Sequence, residues 1–284
     1  MKIKSLIKQG KEFLADRENA LLECELVLAH VLGESKEYVF MNAEEEIDDF
    51  SVDLFMKYLQ RLFEGEPLAY LLNEKEFFGL NLYVDNRVLV PRPETEQIVE
   101  RVIEFAEADE DRKYKVLDVG TGSGNITVSL ASNDLITDVL ALDIDEGALE
   151  VAKINVEQYS LWHKVQLVQS DLLDVIEDGE YFDAIVANLP YIGEVNYRFV
   201  STSAEKFEPN HALFGGESGV ELYKKMFQQL NDKGIGFELM IGEFGFEQGR
   251  IMEDLLNKYF EHQWVIESDL AGIERIFIVK NHVR

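Results

Sequence analysis

The sequence predicts an α/β protein built on a seven-stranded, mostly parallel sheet, and three observations lead to this prediction. After residue 112, short apolar runs alternate with amphipathic helical patterns, which is typical of a parallel sheet covered by helices on both faces. Residues 116–124, VLDVGTGSG, form a buried-strand pattern that ends in a glycine turn. Polar residues follow the predicted strands at their carboxyl ends, where such sheets bind ligands.

Composition narrows the classes of partner. The 284 residues carry 55 acidic against 27 basic side chains, a formal charge of −28. Nucleic-acid affinity depends largely on Lys and Arg neutralising phosphates, so this balance argues against a DNA or RNA partner. An acidic, solubilising surface without functional meaning explains the charge equally well.

The contents of Cys and His argue against a metal site. Cys24 is the single cysteine, which excludes an intramolecular disulfide and a Cys-cluster site, and the five histidines have no ligand spacing. We expect no bound metal. The sequence also lacks an apolar run of roughly 18 residues and the apolar core of a signal peptide, so we expect no membrane association and a cytoplasmic protein.

The first third of the chain has a different pattern from the rest. Residues 1–75 show helical periodicity alone, with apolar positions at three- and four-residue steps over 19–32 and a second helix from the N-cap Ser51, so we predict a small all-helical domain. Over residues 76–91 the apolar period changes to two around a turn at Asp85 and Asn86, which predicts a β-hairpin linker. Residues 92–284 form the predicted sheet-containing domain.

A helix start and seven strands follow the predicted hairpin. In PRPETEQ, residues 91–97, Pro93 suits a first helical turn, and Glu94 and Glu96 complement the helix dipole, which on one interpretation is all that they do. The predicted strands are residues 116–119, 138–142, 165–169, 182–187, 234–241, 262–268 and 274–280. The predicted helices between them are residues 125–132, 146–159, 218–230 and 247–259.

Spacing in the glycine turn indicates the class of ligand. Asp118, Gly120, Gly122 and Gly124 form a D-x-G-x-G-x-G pattern, whereas the dinucleotide fingerprint needs Gly or Ala at the position of Asn125. A carboxylate beside the turn would repel pyrophosphate and suits a cationic ligand. The pattern resembles the first motif of the Rossmann-like S-adenosylmethionine-dependent methyltransferases. The alternative is a strand-to-helix turn without a ligand.

Further strand ends supply matching contacts for an adenosine. Asp143 follows the turn by about twenty residues, the separation at which an acidic residue receives the ribose hydroxyls. Asp171 and Leu172 would flank the adenine ring, one by hydrogen bonding and the other by apolar contact. The predicted cofactor-binding residues are Asp118, Gly120, Thr121, Gly122, Ser123, Gly124, Asp143, Asp171, Leu172 and Asn188.

The fourth strand leads into Asn188, Leu189, Pro190 and Tyr191, which are the predicted catalytic residues. This Asn-x-Pro-Tyr pattern resembles the motif with which methyltransferases hold a planar NH₂ group, an adenine N6 or a glutamine side-chain amide. Such a nitrogen is a weak nucleophile because its lone pair is delocalised. The Asn188 side-chain oxygen and the Leu189 carbonyl can accept both N–H groups, turn the lone pair toward the methyl group and stabilise developing positive charge. Pro190 would stiffen the loop, and Tyr191 would pack on the planar group.

Longer segments resemble the protein-(glutamine-N5) methyltransferases that act on class I peptide chain release factors. The resemblance is carried by NALLECELVLAHVLG, RLFEGEPLAYLLNEKEFFGL, VLVPRPETE, the glycine turn, ANLPYI, KFEPNHALFGGESGVELY and DLAGIERIF. It implies a class I methyltransferase fold, S-adenosylmethionine as cofactor and a helical N-terminal domain that docks the release factor. It also implies methylation of the glutamine of a Gly-Gly-Gln motif, with Arg92, Glu94 and residues 188–191 binding the substrate.

Two departures from the family pattern keep alternatives open. Leu189 stands where the family usually has proline, and Leu172 stands in place of an aromatic residue beside the adenine; we expect activity to survive because position 189 acts through its carbonyl. Asn-Leu-Pro-Tyr is also similar to the motif of ribosomal RNA adenine dimethylases, so adenine-N6 methylation of DNA or RNA is an alternative, with Arg92, Arg198 and Lys206 as available cations. A cofactor-binding scaffold without catalysis is a third. The sequence leaves the oligomeric state open, with a monomer as the default expectation.

Overall fold

The computed structural model describes residues 1–193, 202–261 and 263–281. Its contacts divide the chain into two compact units, one comprising Met1–Glu74 with Ser201–Phe207 and the other comprising Lys75–Val200 with Glu208–Arg284. In the described part of the chain, no helix combines the length and the apolar character that crossing a membrane requires.

Helices and strands alternate through the second unit, as the sequence predicts. The helices are α1 (Ile3–Phe13), α2 (Ala20–Leu32), α3 (Lys36–Met41), α4 (Asp49–Phe63), α5 (Leu68–Leu72), α6 (Glu96–Glu107), α7 (Asn125–Ala131), α8 (Glu146–Gln158), α9 (Thr202–Phe207), α10 (Asn210–Leu213), α11 (Glu221–Lys233) and α12 (Gly249–Phe260). The strands are β1 (Lys75–Phe77), β2 (Leu80–Leu82), β3 (Tyr114–Val119), β4 (Ile136–Asp143), β5 (Val165–Gln169), β6 (Tyr181–Ala187), β7 (Ile192–Gly193), β8 (Phe214–Gly216), β9 (Gly236–Glu243), β10 (Trp264–Ser268) and β11 (Glu274–Lys280).

The helical unit has its own hydrophobic core. Helices α1, α2 and α4 meet there through fully buried side chains that include Leu6, Leu28 and Phe55. Helix α4 begins two residues before the predicted N-cap, because Asp48 caps it by accepting a hydrogen bond from the Ser51 N–H at 2.9 Å. The predicted N-cap Ser51 is therefore wrong, and its hydroxyl instead donates to the Asp48 carboxylate at 2.8 Å.

The second unit contains the predicted seven-stranded sheet, which is confirmed. The strand order is β10-β11-β9-β6-β3-β4-β5, in which β5, β4, β3, β6 and β9 are parallel and β11 runs antiparallel to both of its neighbours. Apolar side chains cover both faces: one core joins the sheet to α11 and α12, and the other joins it to α6, α7 and α8. Burial on two faces explains why these strands read as apolar runs in the sequence.

The predicted hairpin exists, but it is shorter and turns earlier than expected. Strands β1 and β2 pair Phe77 with Leu80, and the two residues between them, Phe78 and Gly79, have φ of +51° and +73°, as a two-residue hairpin turn requires. The turn predicted at Asp85 and Asn86 is present, because the Val88 N–H donates to the Asp85 carbonyl at 3.2 Å, but the strand pairing predicted around it is wrong. Beyond β2 the backbone of Tyr83 pairs with a side chain instead of a strand, because Asn155 accepts its N–H at 2.7 Å and donates to its carbonyl at 2.9 Å.

Strand register fixes which residues meet at the carboxyl edge of the sheet. Ala187, the last residue of β6, pairs with Val119 on one side and with Gly242 on the other. Asn188 therefore follows its strand at the same level as Gly120 and Glu243. The Asn-Leu-Pro-Tyr loop therefore lies beside the glycine turn, although the two segments are far apart in the sequence.

Candidate active site

A cavity of about 300 Å³ opens at the carboxyl edge of the parallel strands. Its walls combine the glycine turn, the ends of β4 and β5, the loop after β6 and the segment before α6. They include Arg87, Arg92, Thr95, Gly120, Thr121, Gly122, Ser123, Asp143, Ser170, Asp171, Leu172, Asn188, Leu189, Pro190 and His211. Most of the residues predicted to bind cofactor or substrate thus come together around one space of the size of small-molecule sites.

Gly120 and Gly122 of the glycine turn present bare backbone to this cavity, whereas Gly124, also predicted to bind the cofactor, does not line it. Gly120, Gly122 and Gly124 have φ of +78°, +55° and +78°, a conformation that glycine adopts without steric cost. A Cβ on Gly120 would lie 3.0 Å from Leu189 Cδ2, and one on Gly124 would lie 3.2 Å from the Cβ of Ala152. Nothing lies within 4 Å of the corresponding position on Gly122, so a ligand can approach the backbone there.

Asp118 lies beneath the turn and not on the cavity wall. Its side chain is fully buried, and Oδ2 accepts hydrogen bonds from the hydroxyls of Thr121 at 2.8 Å and Thr127 at 2.6 Å. Oδ1 has no hydrogen-bond partner among the residues that the structure describes. Burial raises the pKa of Asp118 to about 6. The structure therefore gives Asp118 a supporting place below the turn instead of the direct contact predicted for it.

Asp143 ends β4, as predicted, and its side chain lies on the cavity wall. Its Oδ2 accepts the Gly122 N–H at 2.8 Å, and its Oδ1 accepts the Asp145 N–H at 2.9 Å, so the carboxylate is held in one orientation. Burial raises its pKa. Each carboxylate oxygen keeps acceptor capacity for one more donor, which fits a pair of ribose hydroxyls. Asp145 caps α8 by accepting the Ala148 N–H at 2.8 Å.

The predicted adenine-flanking pair also lies on the wall. Asp171 Oδ2 is 2.5 Å from the Nζ of Lys225, which leaves the other oxygen of the half-exposed carboxylate for a ligand. Leu172 is almost fully buried and has φ of +54°, an uncommon conformation for a branched side chain and one that costs free energy. The acidic, acceptor-rich wall and its apolar patch fit an adenosine with a cationic tail, the cofactor that the sequence implies.

Asn188 belongs to a buried hydrogen-bond network at the same edge. Its Nδ2 donates to Thr95 Oγ1 at 3.0 Å and to Glu243 Oε2 at 3.1 Å. Thr95 Oγ1 donates to the same Glu243 oxygen at 2.6 Å, and the Tyr191 hydroxyl donates to Oε1 at 2.9 Å. No described residue donates to Asn188 Oδ1, so this oxygen remains available on the cavity side.

Two members of this network, Thr95 and Glu243, are functional candidates that the sequence reasoning missed. Glu243 would have been found by placing the end of its strand two residues later, because the strand-end rule then applies to it. Tyr191 was expected to pack on the substrate amide, but the structure turns its hydroxyl to Glu243 and leaves it off the cavity wall. Burial raises the pKa of Tyr191 well above its usual range.

Leu189 contributes to the loop in two ways, through a buried side chain and through its backbone carbonyl. The side chain is 2% exposed and packs in the core against Gly120, and its carbonyl accepts no hydrogen bond from the described residues. Two further residues contact the backbone of the loop. Gly215 lies so near the Pro190 carbonyl that a Cβ there would collide with it. Gln248 Nε2 donates to the Tyr191 carbonyl at 2.6 Å. Residues 214–219, FGGESG, and Gln248 thus help to hold the loop in position.

The two predicted substrate-binding residues outside the loop fare differently. Arg92 lines the cavity, and its Nη2 lies 2.6 Å from Oε1 of the buried Glu208. Glu94 is exposed and does not line the cavity; its neighbour Thr95 does. Arg198 lies outside the described residues, and Lys206 donates to the Glu64 carbonyl in the helical unit. In residues 1–193, 202–261 and 263–281 there is no group of three His, Cys, Asp or Glu side chains that could hold a metal ion.

Comparison with family models gives two matches on separate parts of the chain. A model described as the PrmC N-terminal domain matches residues 5–72. A model described as a methyltransferase domain matches residues 116–208, which include the glycine turn and the Asn-Leu-Pro-Tyr loop.

Curated relatives match over nearly the full length. A release factor glutamine methyltransferase of Bacillus anthracis is 33% identical over 279 residues, covering 97% of this chain and 98% of the relative. A protein with the same description from Rhodopirellula baltica is 38% identical over 268 residues, covering 91% of this chain and 88% of the relative.

Solved structures with the same fold include methyltransferases of several kinds. The hMettl16 catalytic domain in complex with MAT2A 3′UTR hairpin 6 gives a TM-score of 0.57 at 15% identity, covering 89% of this chain and 92% of that one. The T. thermophilus 16S rRNA N2 G1207 methyltransferase in complex with AdoMet and guanosine gives 0.51 at 16% identity, covering 73% and 50%. At such identities the likeness concerns the fold alone.

Proposed function

We propose the following function for this chain, which belongs to the release factor glutamine methyltransferase family. It transfers a methyl group from S-adenosylmethionine to N5, the side-chain amide nitrogen, of the glutamine in the Gly-Gly-Gln motif of class I peptide chain release factors. The family relationship supports the reaction and the substrate, and the cavity supports the roles of individual residues.

The observation that carries the proposal is a pair of acceptors beside the glycine turn. Asn188 Oδ1 and the Leu189 carbonyl receive no hydrogen bond from the described residues. A primary amide has two N–H groups, which these two oxygens can accept together. Holding both N–H groups fixes the plane of the amide and stabilises positive charge that develops on its nitrogen during transfer.

Residues on the cavity wall support the remaining roles in this proposal. S-adenosylmethionine supplies an electrophilic methyl carbon bound to a sulfonium. Gly122 offers open backbone for its approach, Asp143 offers acceptors for the ribose, and Leu172 offers an apolar surface for the adenine. The nitrogen of the glutamine amide then forms a bond to the methyl carbon, the carbon–sulfur bond breaks with its electrons passing to sulfur, and the nitrogen releases a proton to solvent. Arg92, held by Glu208, lies on the wall as a further substrate contact.

The helical unit is the proposed docking element for the release factor. Its support is the family model that matches residues 5–72 and the large apolar side chains that the unit exposes, among them Phe40, Met41 and Phe50 at 79%, 76% and 76% exposure. Contiguous exposed apolar surface marks interaction sites, and Phe40 and Met41 are neighbours in the chain. A protein partner, and not nucleic acid, also suits the net charge of −28. We place the enzyme in the cytoplasm, where translation termination occurs.

A methyl-transfer assay with labelled S-adenosylmethionine tests the proposal. The substrates offered in parallel are a purified release factor, its variant with alanine in place of the Gly-Gly-Gln glutamine, bulk RNA and bulk DNA. We expect label on the intact factor and none on the variant. Label on RNA or DNA instead would replace the proposal with adenine methylation, and cofactor binding without transfer to any of the four would favour the scaffold.

A further inference from the structure

We propose that Glu243 and Thr95 are positioning residues that fix the orientation of the Asn188 amide, so that its oxygen and not its NH₂ group faces the substrate. The proposal rests on the proposed function, because it concerns how Asn188 holds the substrate amide. Neither residue lies in the Asn-Leu-Pro-Tyr loop, and Glu243 does not reach the cavity wall. Both act through Asn188.

An asparagine side chain has no inherent reason to present its oxygen. The oxygen and the NH₂ group of the amide are almost the same size, so rotation by a half turn about the terminal bond exchanges them within the same space. Only the oxygen can accept an N–H of the substrate. With the NH₂ group forward, two donors would face each other and the substrate amide would be repelled. The groups behind Asn188 therefore decide whether the site works.

The two groups behind Asn188 are both acceptors in this network. Glu243 Oε2 belongs to a carboxylate, which accepts hydrogen bonds and cannot donate them when ionised. The single hydroxyl hydrogen of Thr95 points to that same oxygen at 2.6 Å, which leaves Thr95 Oγ1 as an acceptor. Nδ2 of Asn188 meets both of them, at 3.0 Å and 3.1 Å. Turning the amide round would lose both bonds and place its oxygen against two acceptors.

The surroundings keep Glu243 in this role. It is 1% exposed and receives hydrogen bonds from Thr95, Asn188 and Tyr191, which together stabilise the ionised form against burial. Arg275 also favours the carboxylate, whereas burial, the largest influence, and Glu94 raise the pKa of Glu243.

The backbone holds the same geometry. The hydroxyl of Tyr223 lies 2.6 Å from the Glu243 carbonyl and 3.0 Å from the Ala187 carbonyl, so it ties the ends of β9 and β6 together. Because Ala187 precedes Asn188, this contact fixes the distance between Glu243 and the Asn188 loop. The backbone therefore fixes the position from which the Glu243 carboxylate faces the Asn188 amide.

Glu243→Gln tests the orientation with almost no change in shape. The introduced NH₂ group competes as a donor behind Asn188 and permits the reversed amide. We expect kcat on the release factor to fall roughly ten- to hundredfold, with the Kd of S-adenosylmethionine measured by calorimetry unchanged within twofold. The matched control is Asp183→Asn, another buried carboxylate, which accepts the Lys115 N–H at 2.6 Å and pairs with Arg112 at the far edge of the sheet. We expect this control to lower the thermal midpoint and leave kcat unchanged.

A double-mutant comparison separates positioning from a general loss of structure. If Glu243 acts through Asn188, then Glu243→Gln costs less than threefold in kcat when Asn188 is already Ala. A full and independent loss in that background would overturn the proposal, as would wild-type kcat in the single variant. An inactive wild-type enzyme would instead refute the proposed function itself.

Thr95 gives a second route that keeps the Glu243 side chain itself, although valine also removes the hydroxyl that donates to this carboxylate at 2.6 Å. Thr95→Val removes the hydroxyl at nearly constant volume, and Thr95→Ser keeps it. We expect Ser to restore most of the kcat that Val loses, with similar thermal midpoints for the two variants. Equal kcat for Val and Ser would mean that the hydroxyl does not orient Asn188.

Discussion

Charged side chains lie at both the amino and the carboxyl edge of the central sheet, but the carboxylates at the two edges differ in their partners. At the amino edge, Arg112 pairs with Glu238 at 2.6 Å and with Asp183, and Lys115 pairs with Glu180 at 2.8 Å. The guanidinium holds the pKa of Glu238 below its usual range. Each of these carboxylates has a cation beside it, and Glu238 and Glu180 also keep partial contact with solvent.

Three carboxylates at the carboxyl edge lack this pairing, although Asp171 and Glu208 there do pair with Lys225 and Arg92. Asp118, Asp143 and Glu243 accept hydrogen bonds from hydroxyl, amide and backbone donors, and none of the three forms an ion pair within the described residues. Burial raises the pKa of all three. Charges of the first kind stabilise the fold, whereas charges of the second kind cost stability and persist where they serve a ligand or a reaction. Buried carboxylates without an ion-pair partner therefore support the cavity at the carboxyl edge as the functional site.

The largest expected effect comes from removing the substrate acceptor at the carboxyl edge. Asn188→Ala should lower kcat on the release factor by at least ~10²-fold, roughly 3 kcal/mol, because the amide plane is no longer held. Glu238→Gln at the amino edge should do the reverse, lowering the thermal midpoint by a few degrees through the loss of a partly exposed ion pair, roughly 1 kcal/mol, with kcat unchanged. Steady-state kinetics and thermal unfolding of both variants check this. An undiminished rate for Asn188→Ala would end the proposed mechanism.

The edges should also differ in the sign of their pH dependence. Asp118 has a folded-state pKa of about 6, above its usual value, so ionisation favours the unfolded state. Its contribution to stability is intact below about pH 4 and is lost as the pH rises to about 6, by roughly 3 kcal/mol. Glu238, whose pKa is lowered, contributes above its usual pKa and loses that contribution as the pH falls.

Urea unfolding between pH 4 and pH 7 measures both signs. Trp162 and Trp264 both lie in the sheet-containing unit, so tryptophan fluorescence reports on that unit. The free energy of unfolding of the wild type, relative to Asp118→Asn, should fall with rising pH; relative to Glu238→Gln it should rise. A flat difference for Asp118→Asn would mean that the buried carboxyl does not titrate in this range.

The sequence predicts the fold more completely than it predicts the site. Every strand of the large sheet was predicted within two residues, because strands buried on both faces appear as apolar runs between helical patterns. The strand-end rule then located Asp143 and Asn188. It missed Glu243 only because the strand was predicted to end at residue 241.

Tertiary pairing explains what the sequence could not reveal. Thr95 and Glu243 are 148 positions apart, and no local pattern indicates that they share a hydrogen bond. Thr95 lies in a segment whose helix-start chemistry already accounts for its residues. The hairpin turn at Phe78 and Gly79 was missed because Val84, Val88 and Val90 continue the alternation, although their burial comes from packing and not from strand pairing.

The smallest expected effect compares two glycines with the same backbone conformation at opposite edges. Gly120 has φ of +78° at the carboxyl edge, and Gly179 has φ of +77° before β6 at the amino edge. Alanine at either position adopts a left-handed conformation and should cost about 1 kcal/mol of stability. Only at Gly120 does the new Cβ meet another group, Leu189 Cδ2 at 3.0 Å, whereas nothing lies within 4 Å at Gly179. Gly120→Ala should therefore shift Leu189 and weaken S-adenosylmethionine binding roughly tenfold, about 1.4 kcal/mol, and Gly179→Ala should leave the Kd unchanged.

Titration calorimetry on the two variants separates backbone strain, which they share, from crowding of the cofactor cavity, which only Gly120→Ala introduces. Equal affinities for S-adenosylmethionine would show that Leu189 moves aside without cost.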